Sequence, residues 1–246
     1  MFFTDSTSMN TDALSYLRGE RFHNNYHFKS IRDIRRQSRL DILRSACREK
    51  HVIHLGAADH KGLISDKIRA GIWLHGMLTD SATKCIGIDI DNDVVEWVIR
   101  EHGVSNMIGA DIFDSSTVEN LREYGHWDFI VLGEILEHIP NPVEFLASIR
   151  EKYFKFVDEI VITVPNALRL GNFLNAFRNV EAINTDHKYW FTPYTLASVC
   201  VASGLTPSWV APCHYVWELP RRRIIERTLQ RRFPLFRDCI VLTAKL

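Results

Sequence analysis

Residues 51–60 read His51-Val52-Ile53-His54-Leu55-Gly56-Ala57-Ala58-Asp59-His60. A short apolar run that stops at a cluster of small residues is the pattern of a buried strand followed by a tight turn. Gly56, Ala57 and Ala58 carry little or no side chain, so a backbone of this composition can pass close to a ligand. Downstream the texture repeats. Strand-like runs at Lys84–Ile90, Val104–Ile108, Trp127–Leu132 and Glu159–Val164 alternate with helical stretches at Leu63–Leu78, Asp93–His102, Ser116–Glu123 and Pro142–Phe154. That alternation predicts βαβ units and a parallel sheet covered on both faces. The apolar runs are nearly continuous, as strands buried on both faces require.

Working outward from this core, residues 11–50 read as helical and amphipathic, with Ile31, Ile34, Leu40, Ile42 and Leu43 as apolar points. The expected division is a helical cap over residues 1–50 and one ligand-binding domain over residues 51–246. The last third predicts a helix at Pro193–Ser203, a strand at Ser208–Trp217, a helix at Arg221–Arg232 and a final strand at Asp238–Lys245. Five βα units followed by strand–helix–strand give a seven-stranded, doubly wound α/β sheet, with the N-terminal helices packed against or over its C-terminal edge.

Composition sets the boundaries. The chain has 246 residues, 46% of them hydrophobic, enough for one substantial core. Thirty basic and thirty acidic side chains cancel, so nothing global points to nucleic acid or to a membrane. Two stretches are nevertheless basic, between Arg18 and Lys50 and between Arg221 and Arg232. They read either as solvated helix faces or as an attraction for an anionic substrate, such as a phosphate-bearing sugar or lipid. The second is expected to be a surface element after the sixth strand and not a site for RNA. Five scattered cysteines without a Cys-x-x-Cys pair suit free thiols in a reducing compartment. Residues 1–10 lack the pattern of a signal peptide, and no apolar run nears the ~20 residues of a membrane helix. The expectation is a cytoplasmic protein without a membrane span.

Ligands of open α/β sheets bind at the carboxyl ends of the strands, so the residues ending each strand matter most. The second run ends in Gly87-Ile88-Asp89-Ile90-Asp91, where a carboxylate can accept two hydrogen bonds from a ribose diol. The third leads into Gly109-Ala110-Asp111-Ile112, where a second carboxylate can accept from an exocyclic amine, and the fourth ends in Leu132-Gly133-Glu134. Each of these signals is weak alone, since a strand-end Asp is often a helix cap. Together, in this order and spacing, they resemble the motifs of class I S-adenosylmethionine (SAM)-dependent methyltransferases from about His51 to Leu246. The resemblance implies a strand order 3-2-1-4-5-7-6 with the last strand antiparallel. It also implies that Leu55, Gly56, Ala57 and Ala58 hold the methionine portion of SAM, with Gly133 and Glu134 alongside. Asp89 would then bind the ribose and Asp111 the adenine amine, with Ile90 and Ile112 sandwiching the ring. The sequence departs from the family where Ala58 and His60 replace the second and third glycines of the first turn, and where His54 replaces the usual acid. A nicotinamide-binding Rossmann domain, the structural competitor, would require a Gly-x-Gly-x-x-Gly turn that is absent here.

After the fourth run comes Glu134-Ile135-Leu136-Glu137-His138. On one helical turn, Glu134, Glu137 and His138 would stand at i, i+3 and i+4 on a single face. Two carboxylates and an imidazole can ligate a divalent cation, with Mg²⁺ or Mn²⁺ favoured over a structural zinc. His187, in the stretch Asp186-His187-Lys188 before the late helix, is the candidate fourth ligand. This Glu-x-x-Glu-His plus downstream His pattern resembles ubiquinone-biosynthesis O-methyltransferases and small-RNA 2′-O-methyltransferases, which implies a metal held against vicinal substrate oxygens. The segments 134–142, 164–167 and 186–196 also resemble bacterial methyltransferases of sugars and other small metabolites. The alternative reading has no metal, with Glu134 facing the cofactor and His138 acting as a base or packing. His60, His75 and His126 stand in no constellation and read as structural.

The expectation is therefore methyl transfer from SAM to a hydroxyl of a small-molecule acceptor, a sugar or related metabolite, with His138 and His187 as the catalytic candidates. An RNA 2′-O-methyltransferase and a noncatalytic partner subunit with the same fold are the alternatives.

Overall fold

The computed structural model of the chain describes residues 9–29, 37–215 and 224–246. Seven strands form one sheet: β1 (His51–Leu55), β2 (Lys84–Asp89), β3 (Met107–Gly109), β4 (Trp127–Gly133), β5 (Val157–Pro165), β6 (Thr206–Cys213) and β7 (Cys239–Lys245). Their order is β3-β2-β1-β4-β5-β7-β6. The pairs β1–β2, β1–β4, β2–β3 and β4–β5 are parallel, while β7 runs antiparallel to β5 and to β6. This is the doubly wound, mostly parallel sheet expected from the alternation of apolar runs.

Side chains alternate across the sheet, as the pleat requires. Ile53, Ile88, Ile130, Leu132, Ile160 and Ile162 enter the larger core on one face. Val52, Cys85, Phe129, Val131, Val161 and Val241 enter the second core on the other. Ten helices are described. The first four are α1 (Thr11–Leu17), α2 (Arg39–Ala46), α3 (Lys61–Arg69) and α4 (Leu74–Ser81). Then come α5 (Asn92–His102), α6 (Ser115–Glu123), α7 (Pro142–Tyr153), α8 (Leu170–Ala176), α9 (Pro193–Ala202) and α10 (Ile224–Arg232). Ile42, Leu43 and Ala46 of α2 pack with Leu74, Met77 and Leu78 of α4 in the second core, and Ala13 and Leu17 of α1 join the first.

Three elements differ from the sequence expectation. The stretch 63–78 is two helices, not one: α3 ends at Arg69 with Ala70 as its C-cap, and Gly71 adopts φ +66°, with the Ile72 N–H returning to the Lys67 carbonyl. A left-handed glycine is a helix terminator, and the apolar periodicity on either side masks it. Within residues 11–50 the described helices are only α1 and α2, with turns between them at residues 18–29; Ile31 and Ile34 lie outside the described residues. The third strand starts at Met107 instead of Val104, because α5 closes on left-handed Gly103 and the next residues must turn back to the sheet edge. The expected ends of the sixth strand and of the basic helix, Trp217 and Arg221, also lie outside the described residues.

Two devices place the first turn of α2 at the carboxyl end of the sheet. Ser38 and Asp41 form a capping box at its start. The Arg39 N–H donates to the His214 carbonyl at 2.7 Å, fixing the helix beside the end of β6.

Candidate active site

A cavity of about 600 Å³ opens at the carboxyl ends of β1, β2 and β4. Gly56, Ala57, Asp89, Ile90, Gly133 and Glu134 line it, together with Glu137, His138 and His187. Gly56 has φ +66°, and a Cβ there would lie 2.7 Å from Ile135 Cδ1, so the first turn needs its glycine on both counts. The other left-handed residue of the turn is Asp59, at φ +62°. Ala58 and His60, which replace the family's later glycines, sit at negative φ; His60 is the N-cap of α3 at φ −69°. Neither position 58 nor position 60 therefore needs a glycine; the left-handed residues of this turn are Gly56 and Asp59, whose carboxylate pairs with Lys67.

Asp89 braces this turn. Its Oδ2 accepts the Ala58 N–H at 2.9 Å and its Oδ1 accepts the Asp91 N–H at 3.0 Å. A carboxylate has about four acceptor positions, so two remain for a diol. Leu55 and Ala58 are buried behind the turn and do not line the cavity. Of the two isoleucines expected to sandwich a ring, Ile90 is bare, at 79% exposure, but Ile112 is packed in the core at 7%. The Ile112 carbonyl accepts the Tyr153 hydroxyl at 2.6 Å, which holds the segment inward. Asp111 is exposed and outside the cavity lining, its Oδ1 accepting the Phe113 N–H.

The segment 134–138 is not the helical turn its spacing suggested. Glu134 adopts φ +61°, and only Leu136–His138 form a 3₁₀ turn. The reason is the ladder: the Glu134 N–H still donates to Thr163 on β5, so the chain must reverse abruptly at that residue to leave the sheet. Glu134 consequently turns away from the face of Glu137 and His138. Its carboxylate lies 3.6 Å from the Arg39 guanidinium and accepts from the Cys239 thiol at 3.5 Å. Arg39 is 7% exposed, also donates to Thr163 Oγ1, and lies 5.0 Å above the Tyr215 ring. Arg39 and Tyr215 are cavity residues that sequence reasoning missed. The Ser38-x-x-Asp41 capping box was a readable sign of the helix start, but nothing local signals that its first residue crosses to Glu134.

Glu137, His138 and His187 do converge, their ligand atoms lying within 4.8 Å of one another. Both imidazole Nε2 atoms stand 4.0 Å from Glu137 Oε1, and the two rings are perpendicular with centroids 4.7 Å apart. The Glu137 carbonyl accepts the N–H groups of Lys188 and Tyr189, and the Tyr189 hydroxyl donates to Pro140, so backbone staples hold His187 against the 3₁₀ turn. Glu137 is fully buried, and neither of its oxygens has a hydrogen-bond partner; the same is true of His187 Nδ1. Burial pushes the Glu137 carboxyl up to about 8 and lowers the His187 imidazole, which the neighbouring His138 lowers further.

Two further histidines are buried beneath the cavity. His54 on β1 and His75 on α4 stack with centroids 5.5 Å apart and their Nδ1 atoms at 3.4 Å. Burial lowers both, His75 to about 4 from an ordinary 6.5. A depressed folded-state value means stability that is present above pH 6.5 and lost as pH falls through 4. For His75 this amounts to about 3 kcal/mol. In denaturant titrations at pH 7 and pH 4, His75→Leu is therefore expected to lose less stability on acidification than the parent chain. Equal losses would refute the assignment.

A seven-stranded sheet in this order, with a cavity at the carboxyl ends of its first, second and fourth strands, is the architecture of class I SAM-dependent methyltransferases. Residues 69–207 match the family described as methyltransferase domain, more than half of the chain, and the chain belongs to that family. SAM is accordingly its methyl donor. Among solved structures, the chain is similar to the small RNA methyltransferase HEN1, at 12% identity and TM-score 0.53 over 92% of this chain and 27% of that one. It is also similar to magnesium protoporphyrin IX methyltransferase from Synechocystis PCC 6803, at 13% identity and TM-score 0.50 over 96% and 95% of the two chains. A third likeness is to the complex between the Haloferax volcanii Trm112 methyltransferase activator and a putative methyltransferase, at 12% identity and TM-score 0.50 over 83% and 86%. At these identities the likenesses are of fold. No curated protein matches the chain by sequence. Among the described residues, no helix is long and apolar enough to cross a membrane.

Proposed function

We propose that the chain methylates a hydroxyl of a small molecule, a sugar or related metabolite, using Glu137, His138 and His187 on the acceptor side. The observation that carries this reading is the convergence of these three side chains beside the cavity, with both Glu137 oxygens buried and unpartnered. Leaving such a carboxylate without a partner is costly, and a divalent cation is a partner that fits. With Glu134 committed to Arg39, the ligand set is one carboxylate and two imidazoles. That set is poorer in oxygen than two carboxylates would make it, and it favours Mn²⁺ over Mg²⁺. Ligand bonds of about 2.1 Å on one ion place cis donors about 3 Å apart, so the 4.0 Å separations would close by about 1 Å through ring rotation.

The donor supplies a methyl group on a sulfonium, so the protein's tasks are alignment and removal of one proton. Asp89 offers two acceptor positions to the ribose diol, and the Gly56–Ala58 turn offers close backbone approach to the methionine portion. Arg39, buried and shared with Glu134, lines the same cavity and offers its remaining N–H groups to a ligand carboxylate. Without a cation, His138 Nε2 is the proton acceptor for the substrate hydroxyl; with one, that nitrogen would be a ligand and the cation would take over its task. A cation on the trio would supply Lewis acidity that lowers the pKa of that hydroxyl.

The test is methyl transfer from SAM to a panel of sugars and vicinal diols, with and without added Mn²⁺ and chelator. Turnover with a hydroxyl acceptor supports the reading. Transfer only to amines or thiols across the panel would overturn it.

A further inference from the structure

Residues 168–183 follow β5 and carry more bare apolar surface than any other segment described. Phe173 and Leu174 are each 50% exposed, Phe177 75% and Val180 55%. A second segment, the turn between α10 and β7, adds Phe233 at 48% and Leu235 at 39%. The two segments are in contact. Phe173 lies 5.0 Å from Phe177 and 5.9 Å from Phe236, and Phe236 lies 6.0 Å from Phe233, centroid to centroid. Single exposed apolar residues mean little, but a contiguous patch marks a surface that meets something else.

Its charge says what that partner is. Arg178, Arg231 and Arg232 are exposed on its rim, and the Arg232 guanidinium lies 5.7 Å from the centre of the Phe233 ring. The one acid inside the segment, Glu181, accepts the Trp190 indole N–H. We propose that this face docks on a membrane surface containing anionic phospholipid. Phenylalanine and leucine side chains enter the boundary between headgroups and acyl chains, while arginine stems lie along it with their charges among the phosphates. An RNA would use the arginines but leave Leu174, Val180 and Leu235 facing water. It would also find Phe173 and Phe177 edge to face, at 89°, instead of splayed to stack bases. Attachment of this kind needs no membrane-spanning helix. The segment leads directly into Asn184, a lining residue of the cavity. The inference concerns the surface alone and stands apart from the identity of the methyl acceptor.

The experiment is co-sedimentation of the full chain with vesicles of phosphatidylcholine, alone or mixed with phosphatidylserine. Binding is expected for the mixed vesicles, weaker for the neutral ones, and falling as salt is added. Leu174→Ser with Phe177→Ser is expected to reduce partitioning about tenfold or more, since both lose apolar insertion. Arg178→Glu with Arg232→Glu is expected to reduce it similarly and to flatten the salt dependence. SAM affinity should be unchanged in both double variants, which shows that they fold. Failure of the parent chain to bind mixed vesicles at low salt would overturn the proposal. So would equal binding by folded double variants, or binding of RNA through these residues without binding of vesicles.

Discussion

His138→Ala is expected to lower turnover by ~10²–10⁴-fold, the range for losing a positioned general base. Its companions decide what His138 does. If the trio holds a cation, chelator abolishes activity, Mn²⁺ restores it, and Glu137→Ala costs about as much as His138→Ala, since each removes one ligand of a shared ion. If His138 acts alone, chelator changes nothing and Glu137→Ala has the smaller effect. The geometry frames the contest closely. Both imidazole Nε2 atoms are 4.0 Å from the same Glu137 oxygen, which no protein group satisfies. The comparison is made with steady-state rates on one hydroxyl acceptor. A fully active His138→Ala enzyme would defeat both versions and return the trio to a structural role.

Asp89→Ala is expected to weaken SAM binding by about 1–3 kcal/mol, the cost of leaving paired hydroxyls unsatisfied. Isothermal titration against the parent chain measures it. The structure adds a second contribution to the same loss: the Asp89 carboxylate also holds the N–H groups of Ala58 and Asp91, so its removal loosens the first turn. Asp89→Asn retains one acceptor oxygen and should fall between the two. An unchanged dissociation constant for Asp89→Ala would show that the ribose lies elsewhere. No measurable SAM binding by the parent chain would instead favour a noncatalytic partner subunit.

Strand positions were legible because burial on both faces writes an apolar run into the sequence, as at Ile53 and Leu55 or Val131 and Leu132. The ends of those runs likewise pointed to the cavity, at Gly56, Asp89 and Gly133. What spacing could not show was backbone conformation at single residues. Glu134-x-x-Glu137-His138 promised one helical face, but a left-handed residue at the end of the strand rotates Glu134 out of it. Ile112 matched a motif by position while its side chain went into the core. Long-range pairing was equally silent: Arg39 and Glu134 lie far apart in the chain, and no local pattern in residues 30–50 announces that its arginine meets a strand end.

The Arg39–Glu134 pair makes the cavity depend on a part of the chain outside the strands that form most of it. A chain begun at residue 51 would retain all seven strands and the Asp89 carboxylate. It would lose Arg39, leaving Glu134 facing the cavity as an uncompensated negative charge. On the proposed placement of the methionine portion in this cavity, such a truncation would set that unpaired charge against the negative methionine carboxylate. On that placement, ligand occupancy and the docking of α2 would be linked, each reporting on the other.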